Sequence, residues 1–169
     1  GARLARAEGE VYVVIGDGTY LMNPTEIVTA AQEGLNVTII VFENHGFQAI
    51  RQLQVGKTGS AFGNEFRHRD AAGGYLTGPY VSVDYAKNAE SLGAQSWHVT
   101  MAEDFRLALR AAREHSGPKV IVVQTEPHRY TPASGMFWDV APPEHSEDPE
   151  VQRRRGIYDL ERRSQRYLG

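Results

Sequence analysis

The sequence predicts an α/β domain, a mostly parallel sheet flanked by helices. Three observations carry that expectation. Residues 11–15, 37–42 and 120–124 are runs dominated by β-branched and aromatic residues, the pattern of strands buried on both faces. A helix-start signal and a glycine stop separate the first two runs. That strand–turn–helix–strand order is the sequence form of a right-handed parallel crossover.

Taken in order, the chain opens with Gly-Ala-Arg-Leu-Ala-Arg-Ala-Glu, which reads as the middle of a helix and predicts a domain taken from a longer chain. Gly16-Asp17-Gly18 ends the first run. Asn23-Pro24-Thr25-Glu26 then starts a helix, with Asn23 as cap, Pro24 at the first helical position and Glu26 reaching back to the cap. Ile27, Ala30 and Ala31 recur at helical spacing and Gly34 stops the helix. The second run ends at Glu43-Asn44-His45-Gly46, and residues 47–53 predict a short helix.

Residues 55–80 are rich in glycine and charge, without periodicity. A loop that long in a small domain is usually functional or mobile. Asp84 caps a helix over residues 85–92 that Gly93 closes, and a strand falls near residues 96–99. Thr100-Met101-Ala102-Glu103 reads as a capping box for a helix with Phe105, Leu109 and Ala112 on one face, ended by Gly117-Pro118. After Glu126 the composition turns to proline, aromatic and charged residues. Asp148-Pro149 then starts a last helix bearing Arg153, Arg154, Arg155, Arg162, Arg163 and Arg166. That basic run reads as a solvated face or a contact with a partner domain. Residues 1–127 are thus expected to form the α/β domain with its long loop, and 128–169 an extension of the same domain.

Composition narrows the function. At 169 residues and 41% hydrophobic content, one folded domain is expected. A net charge of −3 gives no general attraction to nucleic acid, and the absence of cysteine excludes disulfides and thiolate metal sites. No apolar run approaches the ~20 residues of a membrane helix, so a cytoplasmic location is expected.

Ligands of an open parallel sheet bind beyond the carboxyl ends of its strands. Asp17 and Asn44 both stand there, each just past a predicted strand. A carboxylate and an amide oxygen can converge on one hard cation, while the glycines beside Asp17 let a phosphate approach the backbone. Two such ligands are too few for Mg²⁺, which wants six oxygens and draws several from phosphate and water. A diphosphate would complete the shell. Alone, Asp-Gly is also a hairpin signal; the strands before Asp17 and Asn44 and the helix between them favour a site. No Gly-Lys-Ser/Thr follows for a P-loop, no Gly-x-Gly-x-x-Gly is present at this turn, and neither zinc spacing nor a serine elbow appears.

Gly16-Asp17-Gly18, followed after 25 residues by Asn44, resembles the motif of thiamine-diphosphate-dependent enzymes. The resemblance implies the thiamine-diphosphate-binding fold and the cofactors thiamine diphosphate and Mg²⁺. It implies Asp17, Asn44 and the Gly46 carbonyl as metal ligands, with Gly16, Gly18 and Thr19 at the diphosphate and His45 and Phe47 lining the pocket. Glu43 departs from the family, where a second asparagine is common. Met22-Asn23 and Glu26 look like the acetolactate-synthase branch. Further motifs are similar to the trihydroxycyclohexane-1,2-dione hydrolases of myo-inositol catabolism: Leu53-Gln54-Val55-Gly56, Phe62-Gly63-Asn64-Glu65-Phe66-Arg67, Gly78-Pro79, Asp84-Tyr85-Ala86 and Trp138-Asp139-Val140.

That similarity implies hydrolysis of a carbon–carbon bond that opens a cyclic 1,2-dione to a deoxy-glucuronic acid. Arg67, His68 and Arg69 would meet the product or remain a solvated loop. His128, Trp138 and Asp139 would belong to a closing carboxy-terminal segment. The family's activating glutamate comes from a pyrimidine-binding domain, usually of another subunit. No catalytic residue is therefore expected in this chain, which would be inactive alone, and a homodimer or homotetramer is implied. An acetolactate-synthase-like carboligase, a 2-oxoacid decarboxylase and a non-catalytic partner-binding module remain as alternatives.

Overall fold

Val120, Ile121 and Val122 are 0%, 0% and 1% exposed, so the third apolar run becomes the centre of the sheet. The computed structural model describes residues 1–5, 8–130 and 140–164. Trp138, Asp139 and Arg166 lie outside the described residues. The elements, in order, are α1 (Ala2–Ala5), β1 (Tyr12–Gly16), α2 (Asp17–Met22), α3 (Glu26–Gln32), β2 (Val37–Glu43), α4 (Gln48–Thr58), α5 (Tyr85–Ser91), β3 (Gln95–Val99), α6 (Ala102–Glu114), β4 (Pro118–Gln124) and α7 (Pro149–Arg163).

Strand order is β1-β2-β4-β3, and every pairing is parallel. Register sets Gly16 against Phe42 and Val41 against Val122, so the carboxyl ends of β1 and β2 lie side by side. Alternation along the strands feeds two cores. Val41, Val120 and Val122 meet Tyr20, Ile27, Tyr85 and Ala89 of α2, α3 and α5 on one face. Ile121 and Val99 meet Ala108 and Ala112 of α6 on the other, with Phe105 and Leu109 packed beside them. Each fully buried valine or isoleucine contributes about 1.5–3 kcal/mol relative to exposure.

The first run departs from the expectation of burial on both faces. Tyr12, Val13 and Val14 are 39%, 37% and 58% exposed, because among the described residues no strand pairs with the outer edge of β1.

Two helix starts also differ. Helix α2 begins at Asp17 itself, within the stretch expected to be a turn. Burial of Tyr20 against Tyr85 and Ile27 holds it, with the Tyr20 hydroxyl donating to Asn88 at 2.7 Å. Asn23 consequently closes α2 instead of capping the next helix: α3 starts after Thr25, without a side-chain cap, and Thr25 Oγ1 donates to Asn23 Oδ1. The expected capping box at Thr100 is not formed either. Met101 occupies the N-cap of α6 and no side-chain bond closes its first turn.

Other signals hold. Asp84 accepts from the Lys87 N–H and Asp148 from the Glu150 N–H, capping α5 and α7. Helix α4 runs five residues beyond its expected end at Leu53, and Gly59 closes it in the left-handed region. Helix α7 packs on α4, where Arg154 pairs with Glu150 and donates to the Gly56 carbonyl. Arg153 and Arg155 pair with Glu150 and Asp159. The described part of the arginine run is therefore substantially charge-matched. No helix among the described residues is long and apolar enough to cross a membrane.

Candidate metal centre

Asp17 is fully buried, although it begins a helix at the mouth of the sheet. Its Oδ1 accepts the N–H of Gly18 at 2.7 Å and of Gly46 at 3.1 Å. Its Oδ2 accepts those of Asn44 at 3.0 Å and His45 at 2.6 Å. Burial pushes the carboxyl above its usual range, and the four backbone N–H groups only partly offset that. A buried carboxylate with its charge incompletely compensated is suited to a cation.

Three consecutive N–H groups can reach one carboxylate only if the chain coils tightly after β2. His45 takes φ 62° and Gly46 φ 140°, the left-handed conformations that do this. Glycine is required at 46 on a second count, since a Cβ there would collide with the Asn64 carbonyl oxygen.

The Asn44 amide lies between Asp17 and Gly46. Its oxygen faces Asp17 Oδ1 and the Gly46 carbonyl oxygen, and only the reversed amide would donate to them, at 3.1 and 2.9 Å. In one amide orientation the Asn44 oxygen would share a cation with these two oxygens; in the other its nitrogen donates to both. Neighbouring oxygens of a Mg²⁺ octahedron stand about 2.9 Å apart, given bonds of ~2.0–2.1 Å. The residues thus fit Mg²⁺: one carboxylate, one amide and one carbonyl on a concave turn. No group of three His, Cys, Asp or Glu side chains converges on a metal position among the described residues, and this set, with a single carboxylate, is of another kind.

The remaining sequence candidates separate. Phe47 packs back on Gly18, where a Cβ would come within 2.8 Å of the ring. His45 stacks on Tyr80 at 4.2 Å. Gly16 sits at the N-cap of α2. Thr19 is exposed and lines the groove between β1, α2 and α3. Arg67 lies over the Tyr80 ring at 3.8 Å and pairs with Glu65 at 3.1 Å, whereas His68 and Arg69 are exposed.

Sequence reasoning assigned no role to Glu65. Its side chain, 12% exposed, pairs with Arg51 and Arg67 and accepts from Tyr80, Gln48 and His128. Burial pushes its carboxyl up, but the bonds from His128, Arg67, Tyr80 and Gln48 win and hold it well below the usual carboxylate range. These partners come from α4, the long loop and the segment after β4, so no local spacing announces them. The family-like motif from Phe62 to Arg67 marked the segment without giving Glu65 a role.

Comparison with known proteins gives the family. Residues 1–123 match the family model described as thiamine pyrophosphate enzyme, C-terminal TPP binding domain. A 3D-(3,5/4)-trihydroxycyclohexane-1,2-dione hydrolase of Geobacillus thermodenitrificans is 38% identical over 152 residues, 90% of this chain and 24% of that protein. The enzyme of the same name from Clostridium tetani is 33% identical over 153 residues, with the same coverage. The chain therefore spans about a quarter of the length of these relatives. Among solved structures, the thiamine diphosphate-dependent 4-hydroxybenzoylformate decarboxylase of Rhodococcus jostii RHA1 superposes with a TM-score of 0.59 at 28% identity, covering 74% of this chain and 21% of that one. The chain belongs to the C-terminal, thiamine-pyrophosphate-binding domain family of thiamine pyrophosphate enzymes.

Proposed function

We propose that this chain anchors the diphosphate of thiamine diphosphate through Mg²⁺ in an enzyme that opens a cyclic 1,2-dione by hydrolysing a carbon–carbon bond. The observation that carries the proposal is the place of the Asn44 amide, within 3.1 Å of Asp17 Oδ1 and 2.9 Å of the Gly46 carbonyl oxygen. Asp17 supplies the charge, and Asn44 and Gly46 supply neutral oxygens. Gly16, Gly18 and Thr19 flank the diphosphate, with His45 and Phe47 on the pocket wall. Bound thiamine diphosphate supplies the chemistry of bond cleavage beside a carbonyl, and the protein supplies orientation and electrostatics.

The choice of a trihydroxycyclohexane-1,2-dione substrate rests on the named relatives, whose similarity covers 90% of the chain. The cofactor's pyrimidine must also be activated. That task falls to a glutamate in a pyrimidine-binding domain, in the part of the relatives that this chain does not span. A homodimeric or homotetrameric enzyme of the cytoplasm, with this chain inactive alone, belongs to the same reading.

The test is an assay of the full-length protein with thiamine diphosphate and Mg²⁺, offered the cyclic dione or pyruvate. Acid release from the dione, lost in Asp17→Ala, is the expected result. Turnover of pyruvate in its place would overturn the substrate assignment. Cofactor binding that is independent of Mg²⁺, or unchanged in Asp17→Ala, would overturn the anchor.

A further inference from the structure

The turn that presents Asn44 and Gly46 is itself held by Glu65 and its neighbours, outside the motif. Gly46 forms an antiparallel bridge with Glu65. Phe47 N–H donates to the Asn64 carbonyl at 2.8 Å and Phe66 N–H to the His45 carbonyl at 2.9 Å, so two bonds bracket Gly46. The buried Gln48 amide donates both to the Asn44 carbonyl, at 2.9 Å, and to Glu65 Oε1, at 3.3 Å. Glu65 thus reaches one ligand residue through its backbone and the other through Gln48.

Its carboxylate is in turn fixed from three directions. Arg51 of α4 lies 3.3 Å from Oε2, Arg67 and Tyr80 of the loop lie at 3.1 and 2.8 Å, and His128 after β4 lies at 2.8 Å. Tyr80 also stacks on His45, which closes the circuit at the turn itself.

We infer that Glu65 is a positioning residue of the metal centre: it locks the loop of residues 60–81 onto the Asn44–Phe47 turn and so fixes the direction of the Gly46 carbonyl. Outer groups that orient metal ligands commonly govern 10–100-fold of metal affinity. Glu65→Gln keeps the shape and an acceptor for Tyr80, but removes the charge that gathers Arg51 and Arg67. Glu65→Asp keeps the charge.

This inference rests on the proposed Mg²⁺ anchor, and the experiment separates the two. Binding of Mg²⁺ to the full-length protein, with thiamine diphosphate present, is titrated by calorimetry. The Mn²⁺ form is examined by electron paramagnetic resonance. The variants are Asp17→Ala, Glu65→Gln, Glu65→Asp, Tyr80→Phe and a control, Glu103→Gln, which removes an exposed ion pair with Arg106. Glu65→Gln should raise the Mg²⁺ dissociation constant about tenfold and broaden the Mn²⁺ spectrum. Glu65→Asp should recover part of the affinity, and Glu103→Gln should match wild type. If Glu65→Gln does not fold, Tyr80→Phe should shift affinity in the same direction. Asp17→Ala without effect would sink the anchor itself. Loss of binding in Asp17→Ala, with affinity and spectrum unchanged in Glu65→Gln, or in Tyr80→Phe where that variant stands in, would overturn the positioning role alone.

Discussion

The carboxylate of Asp17 accepts the backbone N–H of His45 at 2.6 Å, across 28 residues of chain. The bond joins the end of β1 to the turn after β2, and the Asn44 and Gly46 N–H groups reinforce it. One side chain thus shapes the turn that carries the proposed ligand oxygens.

Asp17→Ala removes the acceptor of three N–H groups of that turn, that of Gly46 buried and those of Asn44 and His45 partly buried. Each buried donor left without a partner costs ~1–3 kcal/mol, so a loss of several kcal/mol is expected. Asp17→Asn retains one acceptor oxygen and sheds a charge that burial disfavours, so it should cost less without metal. Only wild type should then gain stability from Mg²⁺ and thiamine diphosphate, by about 2.7 kcal/mol at a hundredfold excess over the dissociation constant. Thermal denaturation of the three full-length proteins, with and without ligands, checks the order.

Gly18 and Phe47 are a matched pair. A Cβ at Gly18 would meet the Phe47 ring at 2.8 Å. Gly18→Ala is expected to cost about 1–3 kcal/mol, as overpacking does. Adding Phe47→Leu should recover part of that stability, and a double-mutant cycle by urea denaturation measures the coupling. Simple addition of the two effects would deny the contact.

Glu65 makes stability depend on acid. Its folded pKa lies below the ordinary 4.5, so the unfolded chain binds its proton more readily. The stability it contributes is complete above about pH 4.5 and is lost as pH falls below that value toward the folded pKa. Glu65→Gln should be less stable than wild type at pH 7, with the difference shrinking by pH 3.5. Denaturation curves at both values test the sign, and a difference that grows in acid would contradict it.

The two interior caps offer a control on local signals. Asp84→Ala should cost about 1 kcal/mol, because the Asp84 carboxylate accepts the Lys87 N–H at 2.9 Å. Thr100→Ala should be nearly silent, since α6 begins one residue later without a side-chain cap. Equal losses in the two variants would restore the capping box.

Those contrasts show what was legible in the sequence. The strand runs at residues 37–42 and 120–124 were readable because a strand with a neighbour on each side carries apolar residues at most positions. The Gly16-Asp17-Gly18 and Asn44 spacing was readable because parallel neighbours bring their ends together. Helix α2 was not, since Asp-Gly-Thr favours a turn locally and only the packing of Tyr20 against Tyr85 reverses that preference. The box at Thr100 failed for the opposite reason: a local signal with no tertiary contact to enforce it. The Glu65 cluster draws on residues as distant as His128, 63 positions away, and no periodicity encodes such a meeting.

The most direct measurement is a crystal structure of the full-length protein with thiamine diphosphate and Mn²⁺, the ion located by its anomalous scattering. The metal peak should lie ~2.1–2.2 Å from Asp17 Oδ1, Asn44 Oδ1 and the Gly46 carbonyl oxygen. A peak elsewhere, with the Asn44 amide nitrogen donating to Asp17 and Gly46, would contradict the assignment of these three residues as the metal's protein ligands.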